Sequence, residues 1–381
     1  MKIIHSAALL SPSAGMLKQM QWEQESAKHL QYDWHSYMYC PSGDNHFDIP
    51  KELQPLCHYD NNIIHTKNTK AVQKIQNWFF LRKNYYQWLA SKDCDAYLLR
   101  YYVHDYLQYK FIKSIKKPVF LIHHSFEVPE LALPNTFSAF IRSFAEKKIG
   151  VLSLNAAFGL IGVTPEIILY EQNRLGKHAK NTENCLIYPN GFSFTNSFFP
   201  SENRDLSNIN ILFVATNFDS WHGLDLLINE LKITNSSFTL HIVGKISSVE
   251  KSALINDSRI KLYSSLSSSE IQNLSAQCDI GLSSFALNRK NMEQACTLKV
   301  REYLSNGLPV YSGHKDIFPN DFQFYKYGKP HIPTILEYAK QMKAYSKRDV
   351  ITTSSPFIDK EALVKELYSS IKQLISSSKQ V

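Results

Sequence analysis

Thr297-Leu298-Lys299-Val300-Arg301-Glu302-Tyr303-Leu304-Ser305-Asn306-Gly307-Leu308-Pro309-Val310 reads as one short helix that turns directly into a strand. The Thr297 hydroxyl suits an N-cap, because it can accept from a first-turn amide that has no partner within the helix. Gly307 suits the position just past the helix end, and Pro309-Val310 opens extended chain. Lys299 and Glu302 are three residues apart and so share one helix face. A helix amino end with a lysine beside it attracts a diphosphate, and a carboxylate one turn on can accept from ribose hydroxyls. The same residue types also make an ordinary surface ion pair, and the stretch alone leaves both readings open.

Outward from this point, short apolar runs alternate with helical patterns to both ends of the chain. Strands are expected at 209–215, 238–243, 260–263, 280–282 and 309–312, between helices at 222–231, 267–277, 299–305 and 335–345. The first half repeats the pattern, with strands at 2–9, 34–40, 96–100, 119–123 and 160–163 and helices at 16–30, 70–90, 106–115, 135–147 and 164–174. Such alternation builds parallel sheets covered by helices, so the fold class is α/β. Two doubly wound units with a cleft near the carboxyl ends of their strands are the expected architecture. Pro189-Asn190-Gly191 is a turn signal and 200–210 is polar, which separates a domain of residues 1–188 from one of residues 189–358. Residues 359–381 are expected to form an amphipathic helix that packs back on the first domain, with a frayed end.

The 381 residues include 42 Lys+Arg and 34 Asp+Glu, and 44% are hydrophobic, which suffices for two cores and excludes disorder over most of the length. The longest apolar stretch, 151–163, contains Ser153 and Asn155 and falls short of the ~20 residues that cross a bilayer. The amino-terminal run is read as a first buried strand rather than a leader, because His5 interrupts it. Cys40, Cys57, Cys94, Cys185, Cys278 and Cys296 form no Cys-x-x-Cys pair and are expected as free thiols in a reducing cytoplasm. Phosphate loops, Gly-x-Gly-x-x-Gly and His-Glu-x-x-His are all missing, which argues against P-loop hydrolases, dinucleotide oxidoreductases and zinc proteases. Asp93-Cys94-Asp95 precedes a strand and reads as a solvated turn. Lys110, Lys113, Lys116 and Lys117, with Trp78-Phe79-Phe80, Tyr85-Tyr86 and Tyr101-Tyr102, suggest either a solvated helix end over core aromatics or a face for an anionic membrane surface. No stripe of positive charge is long enough to track nucleic acid.

The stretch from Thr297 to Val310 resembles the PLKxxEYLAxGxPV donor-site segment of glycosyltransferase family 4, a family with the GT-B fold of two Rossmann-like domains facing each other across a cleft. Weaker matches follow in the order that family shows. Val119-Phe120-Leu121-Ile122-His123-His124 resembles the strand whose terminal histidine enters the cleft, and Gly162-Val163-Thr164-Pro165-Glu166 the end of the first domain's last strand. Pro189-Asn190-Gly191 resembles the opening of the second domain. Ile211-Leu212-Phe213-Val214, followed by Trp221-His222-Gly223-Leu224-Asp225-Leu226-Leu227, resembles its strand-loop-helix.

The resemblance implies a nucleotide-sugar donor, UDP- or GDP-linked, held by the second domain. Glu302 would take the ribose and Lys299 the donor phosphate, beside Thr297 and Leu298. The family's first carboxylate, which contacts the donor sugar, is replaced here by Gln294, with Glu293 adjacent. Asn217 and His222, followed by Gly223, stand where the family has an arginine-lysine pair, so Arg289, Lys290 and Arg301 are the nearest cations to offset the diphosphate. In the first domain, His124 would contact the transferred sugar, while Arg100, Glu127 and Gly15 are candidates for the acceptor side. The implied reaction is transfer with retained configuration, without cofactor or divalent metal, to a glycan or lipid-linked acceptor of bacterial surface polysaccharide such as O-antigen or capsule. The implied setting is the cytoplasm, peripheral at the inner face of the plasma membrane. Two alternatives stand beside it: a GT-B nucleotide-sugar 2-epimerase and a catalytically silent GT-B partner subunit.

Overall fold

Ile3–Ala8 is buried at every position, as only a strand covered on both faces can be. In the computed structural model, which describes residues 1–42, 49–66, 69–134, 136–175, 183–194 and 207–378, this strand lies in the interior of a parallel sheet. The sheet comprises β1 (Ile3–Ala8), β2 (Trp34–Ser42), β3 (Cys57–Ile64), β4 (Ala96–Arg100), β5 (Val119–His123), β6 (Gly159–Gly162) and β7 (Cys185–Ile187), in the order β3-β2-β1-β4-β5-β6-β7. It belongs to a unit formed by Met1–Tyr188 together with Lys360–Val381. Pro189–Asp359 form the second unit. Its parallel sheet holds β8 (Asn210–Asn217), β9 (Thr239–Lys245), β10 (Ile260–Tyr263), β11 (Ile280–Leu282), β12 (Val310–Ser312) and β13 (Tyr325–Tyr327), in the order β10-β9-β8-β11-β12-β13. Strand order reverses between β1 and β4 in one sheet and between β8 and β11 in the other, and such reversals open crevices at the carboxyl ends of strands. Residues 195–206, which include the first part of the polar segment 200–210, lie outside the described residues.

Three strands have no counterpart in the sequence reading, and all three are sheet edges. β3 buries only Asp60 and Ile63 along its length, and β7 and β13 are three-residue strands with no fully buried position. An edge strand open to solvent carries no continuous apolar run to read.

The helix Lys360–Ser378 lays Leu363, Val364, Leu367, Ile371 and Ile375 against Ile3, Trp34 and Phe120, and Tyr368 stacks on Tyr32 at 4.0 Å. The aromatics Tyr85, Tyr86, Tyr101 and Tyr102 are core residues, so they do not build a lipid-facing surface with Lys110–Lys117. Asp93 and Asp95 pin the amino end of β4: the Lys2 amide donates to Asp95 Oδ2 at 2.7 Å, and Lys117 pairs with Asp93 at 3.6 Å. All six cysteines are free. Among the described residues, no helix is long and apolar enough to cross a membrane.

Helix Leu298–Ser305 buries Val300, Tyr303 and Leu304, and the Tyr303 hydroxyl accepts from the Val214 amide of β8 at 2.8 Å. The helix ends at Gly307, whose φ of +70° favours glycine, and a Cβ there would lie 2.5 Å from the Lys347 Cβ. Gly307→Ala is therefore expected to cost about 1–2 kcal/mol for the left-handed backbone alone, more with the clash, as a lower urea midpoint at unchanged slope.

Candidate functional site

Where strand order reverses in the second unit, a cavity of about 330 Å³ opens at the carboxyl end of the sheet. β8 supplies its last residues through Asn217, and Ser283 and Ser284 follow β11. Thr297, Leu298 and Lys299 form the amino end of helix Leu298–Ser305, and Trp221 and His222 also line the cavity. Thr297 is the N-cap, its Oγ1 accepting from the Val300 amide at 3.4 Å, so the first-turn amides open toward the cavity. Lys299 Nζ donates to Glu302 Oε2 at 2.6 Å, with their side chains 32% and 24% exposed, so each can also reach a ligand.

His222 is half-buried and lies over Trp221 with ring centroids 3.7 Å apart. Its Nδ1 accepts from the Asp219 amide at 3.0 Å. Burial, with the Lys290 cation as a smaller influence, holds its pKa below the usual histidine value. The ring is thus neutral at pH 7 and carries its proton on Nε2, a donor rather than a cation. Lys290 lies 4.6 Å from the Trp221 ring, which keeps its charge beside the cavity.

Several residues singled out in the sequence lie elsewhere. Arg289 spends both guanidinium nitrogens on Asp225, at 2.9 and 2.7 Å, and also donates to the Ser220 carbonyl at 2.5 Å. It fastens the Ser220–His222 turn to the Leu287–Lys290 turn instead of facing a donor. Arg301 is fully buried, forked onto Asp316 and donating to the Asn190 carbonyl at 3.1 Å. Two residues from Lys299 is about half a helical turn, so Arg301 points to the opposite face. Gln294 bridges Lys315 through its backbone, Glu293 pairs with Lys315 at 3.2 Å, and neither lines this cavity. Gly223 has φ +71° and packs behind the cavity, where a Cβ would come 2.9 Å from the Phe285 Cβ. Trp221, Ser283 and Ser284 are not among the site residues read from the sequence; Ser283 and Ser284 carry only the signal of standing just past a strand end, and Trp221 falls in the strand-loop-helix resemblance with no role assigned to it.

In the first unit, the two histidines at the end of β5 part company. His123 is fully buried, with Nδ1 2.8 Å from Glu127 Oε1 and 3.5 Å from Glu171 Oε1, whereas His124 is exposed. Desolvation, then the charges of Arg100, His5 and His123, push the His124 pKa well below the usual value. Arg100 is therefore a neighbour of His124. Glu127 is not available to an acceptor. Its carboxyl is buried between His123 and Arg174, and although burial alone would raise its pKa, those two groups hold it down to about 2. Glu171 moves the other way, raised by burial and by Glu127. His123, Glu127 and Glu171 lie close enough to ligate a metal, but Arg174, 2.9 Å from Glu171 and 3.5 Å from Glu127, already places a cation among them. Gly15 stands in the first turn of helix Ala14–His29, which Ser13 caps, and so is not in the strand-to-helix loop.

No family model matches the chain, and no curated protein sequence matches it. Solved structures do match over almost its whole length. The sucrose-phosphate synthase of Thermosynechococcus elongatus superimposes with a TM-score of 0.69 at 14% identity, covering 99% of this chain and 100% of that one. The lipopolysaccharide outer core galactosyltransferase WaaB in its apo form gives 0.63 at 14% over 98% and 99%. Anabaena HepE in complex with UDP and glucose gives 0.63 at 13% over 98% and 100%. A UDP-GlcNAc 2-epimerase from Neisseria meningitidis matches less well, with a TM-score of 0.53 at 15% identity over 98% and 100%. The chain thus has the GT-B fold of nucleotide-sugar glycosyltransferases, with two Rossmann-like domains.

Proposed function

We propose that the protein is a retaining, family 4-like glycosyltransferase that moves a hexosyl or N-acetylhexosaminyl group from a UDP- or GDP-linked donor to a hydroxyl of a glycan or lipid-linked acceptor. The observation that carries this reading is Lys299, which lines the cavity at the strand-order reversal from the capped first turn of helix Leu298–Ser305 and is paired with Glu302 one turn further on. In it, the helix amides and Lys299 stabilise the charge that develops on the leaving diphosphate, and Glu302 holds the ribose. The neutral His222 donates from Nε2, and Lys290 adds charge at the rim. His124 and Arg100 belong to the sugar and acceptor side, with no divalent metal or cofactor required. Synthesis of a bacterial surface polysaccharide, in the cytoplasm against the inner membrane face, is the setting that suits this chemistry.

A thermal-shift screen against UDP-, GDP-, ADP- and CMP-sugars tests the reading. One nucleotide class is expected to raise Tm, and that sugar nucleotide should release its diphosphate slowly without acceptor, by leakage to water. Conversion of UDP-N-acetylglucosamine to its 2-epimer would assign the epimerase instead. Binding without turnover under any acceptor would assign a silent partner subunit.

A further inference from the structure

Two helices of the first unit turn apolar stripes outward. Helix Phe137–Ala145 exposes Phe137 by 80%, Phe140 by 67%, Ile141 by 50% and Phe144 by 57%, and buries only Ala139 and Ser143. Positions i, i+3, i+4 and i+7 form one continuous stripe, the kind a core-facing helix directs inward. Helix Ala71–Ala90 repeats this over its first half, where Val72, Ile75 and Phe79 are exposed with Phe80 beside them. Contiguous exposed apolar surface of this kind marks an interaction face.

The chain segments that carry both stripes are basic, while the exposed Glu130 lies on helix Glu127–Ala132, which packs against helix Phe137–Ala145. No acidic residue occurs between Asn61 and Lys92, and Lys70, Lys74 and Lys83 are exposed. Between Leu131 and Pro165 the one acid is Glu146, which is buried and bonded to Tyr101 and Arg174, while Arg142, Lys147 and Lys148 are exposed. Both helices also reach the carboxyl end of the sheet. Arg82 donates to the Ala8 carbonyl at the end of β1, at 2.5 Å, and Glu146, one residue past the other helix, accepts from the His104 amide in the loop beyond β4.

We propose that these two helices dock the protein on an anionic lipid bilayer, with the phenylalanines in the acyl boundary and the lysines and Arg142 on the headgroups. A second copy pairing through the same face would set these cations against one another, which disfavours self-association there. The docking surface stands independently of the transferase reading. If that reading holds, docking brings a lipid-linked acceptor to the edge where His124 and Arg100 stand.

Flotation of the full chain with vesicles tests this. The protein should bind phosphatidylglycerol-rich vesicles at least about tenfold more tightly than pure phosphatidylcholine, and high salt should weaken that binding. The double variants Phe140→Ser/Phe144→Ser and Lys147→Glu/Lys148→Glu should each lower binding by about tenfold or more. All these side chains are exposed, so Tm and nucleotide binding should stay unchanged, which separates loss of docking from failure of the donor site. Absence of binding to anionic vesicles, or full binding by both variants, overturns the proposal. So does a dimer in light scattering that Phe140→Ser/Phe144→Ser abolishes while vesicles remain unbound, since that outcome assigns the face to a second copy.

Discussion

Lys299→Ala and Glu302→Ala should each lower sugar transfer by about tenfold or more, roughly 1.4 kcal/mol of transition-state stabilisation, and leave Tm unchanged. Both side chains are partly exposed and each is the other's partner, so removing one leaves a solvated charge rather than a buried orphan. Exposed pairs of this kind contribute at most about 1 kcal/mol to folding. Their position explains the expected loss of rate: Lys299 lines the cavity from the first turn of the helix, beside amides that would stabilise negative charge on a leaving diphosphate, and Glu302 is bonded to it one turn on. Lys299→Ala should act mainly on kcat, because charge builds up on the phosphate as the bond breaks. Glu302→Ala should act more on KM, since a ribose contact is made equally before and during transfer. Wild-type transfer by both variants would remove the pair from the site.

Arg301→Ala, two residues away, should do the reverse. The Arg301 guanidinium is fully buried, bonded to both oxygens of Asp316 and to the Asn190 carbonyl, and lies 4.9 Å from the Phe318 ring. Removing it strands the buried Asp316 carboxylate, and breaking such a pair from one side costs about 3–5 kcal/mol. Chemical denaturation should show this loss in full, and nucleotide affinity measured on the folded fraction should change little. A stable Arg301→Ala protein that has lost donor affinity would move Arg301 back into the site. Adjacent turns of one helix thus separate function from stability.

The contrast between these neighbours shows what the sequence could disclose. Thr297, Gly307 and Pro309 fix the helix and the strand after it through local chemistry alone, and the interior strands announce themselves as apolar runs. The outlying strands β3, β7 and β13 are half-solvated and left no such signal. In the candidate site, the positions of Lys299 and Thr297 follow from that local chemistry. Which cation faces the cavity does not, because Arg289 and Arg301 differ from Lys299 only in having a carboxylate partner brought by a distant segment, Asp225 and Asp316. Glu127 is the same case in the first unit: its buried partner Arg174 is 47 residues further along the chain. Alternation along the strand requires one of His123 and His124 to point outward, and the choice of His124 comes from the family resemblance.

Isothermal titration of UDP and GDP into the wild-type protein and into Lys299→Ala addresses the donor site without needing to know the acceptor. One of the two nucleotides should bind the wild type, and Lys299→Ala should weaken that binding by about tenfold, the loss of one charge-assisted contact. Binding of neither nucleotide, or equal affinity in the two proteins, would contradict the assignment of the cavity between β8 and β11 to a nucleotide diphosphate.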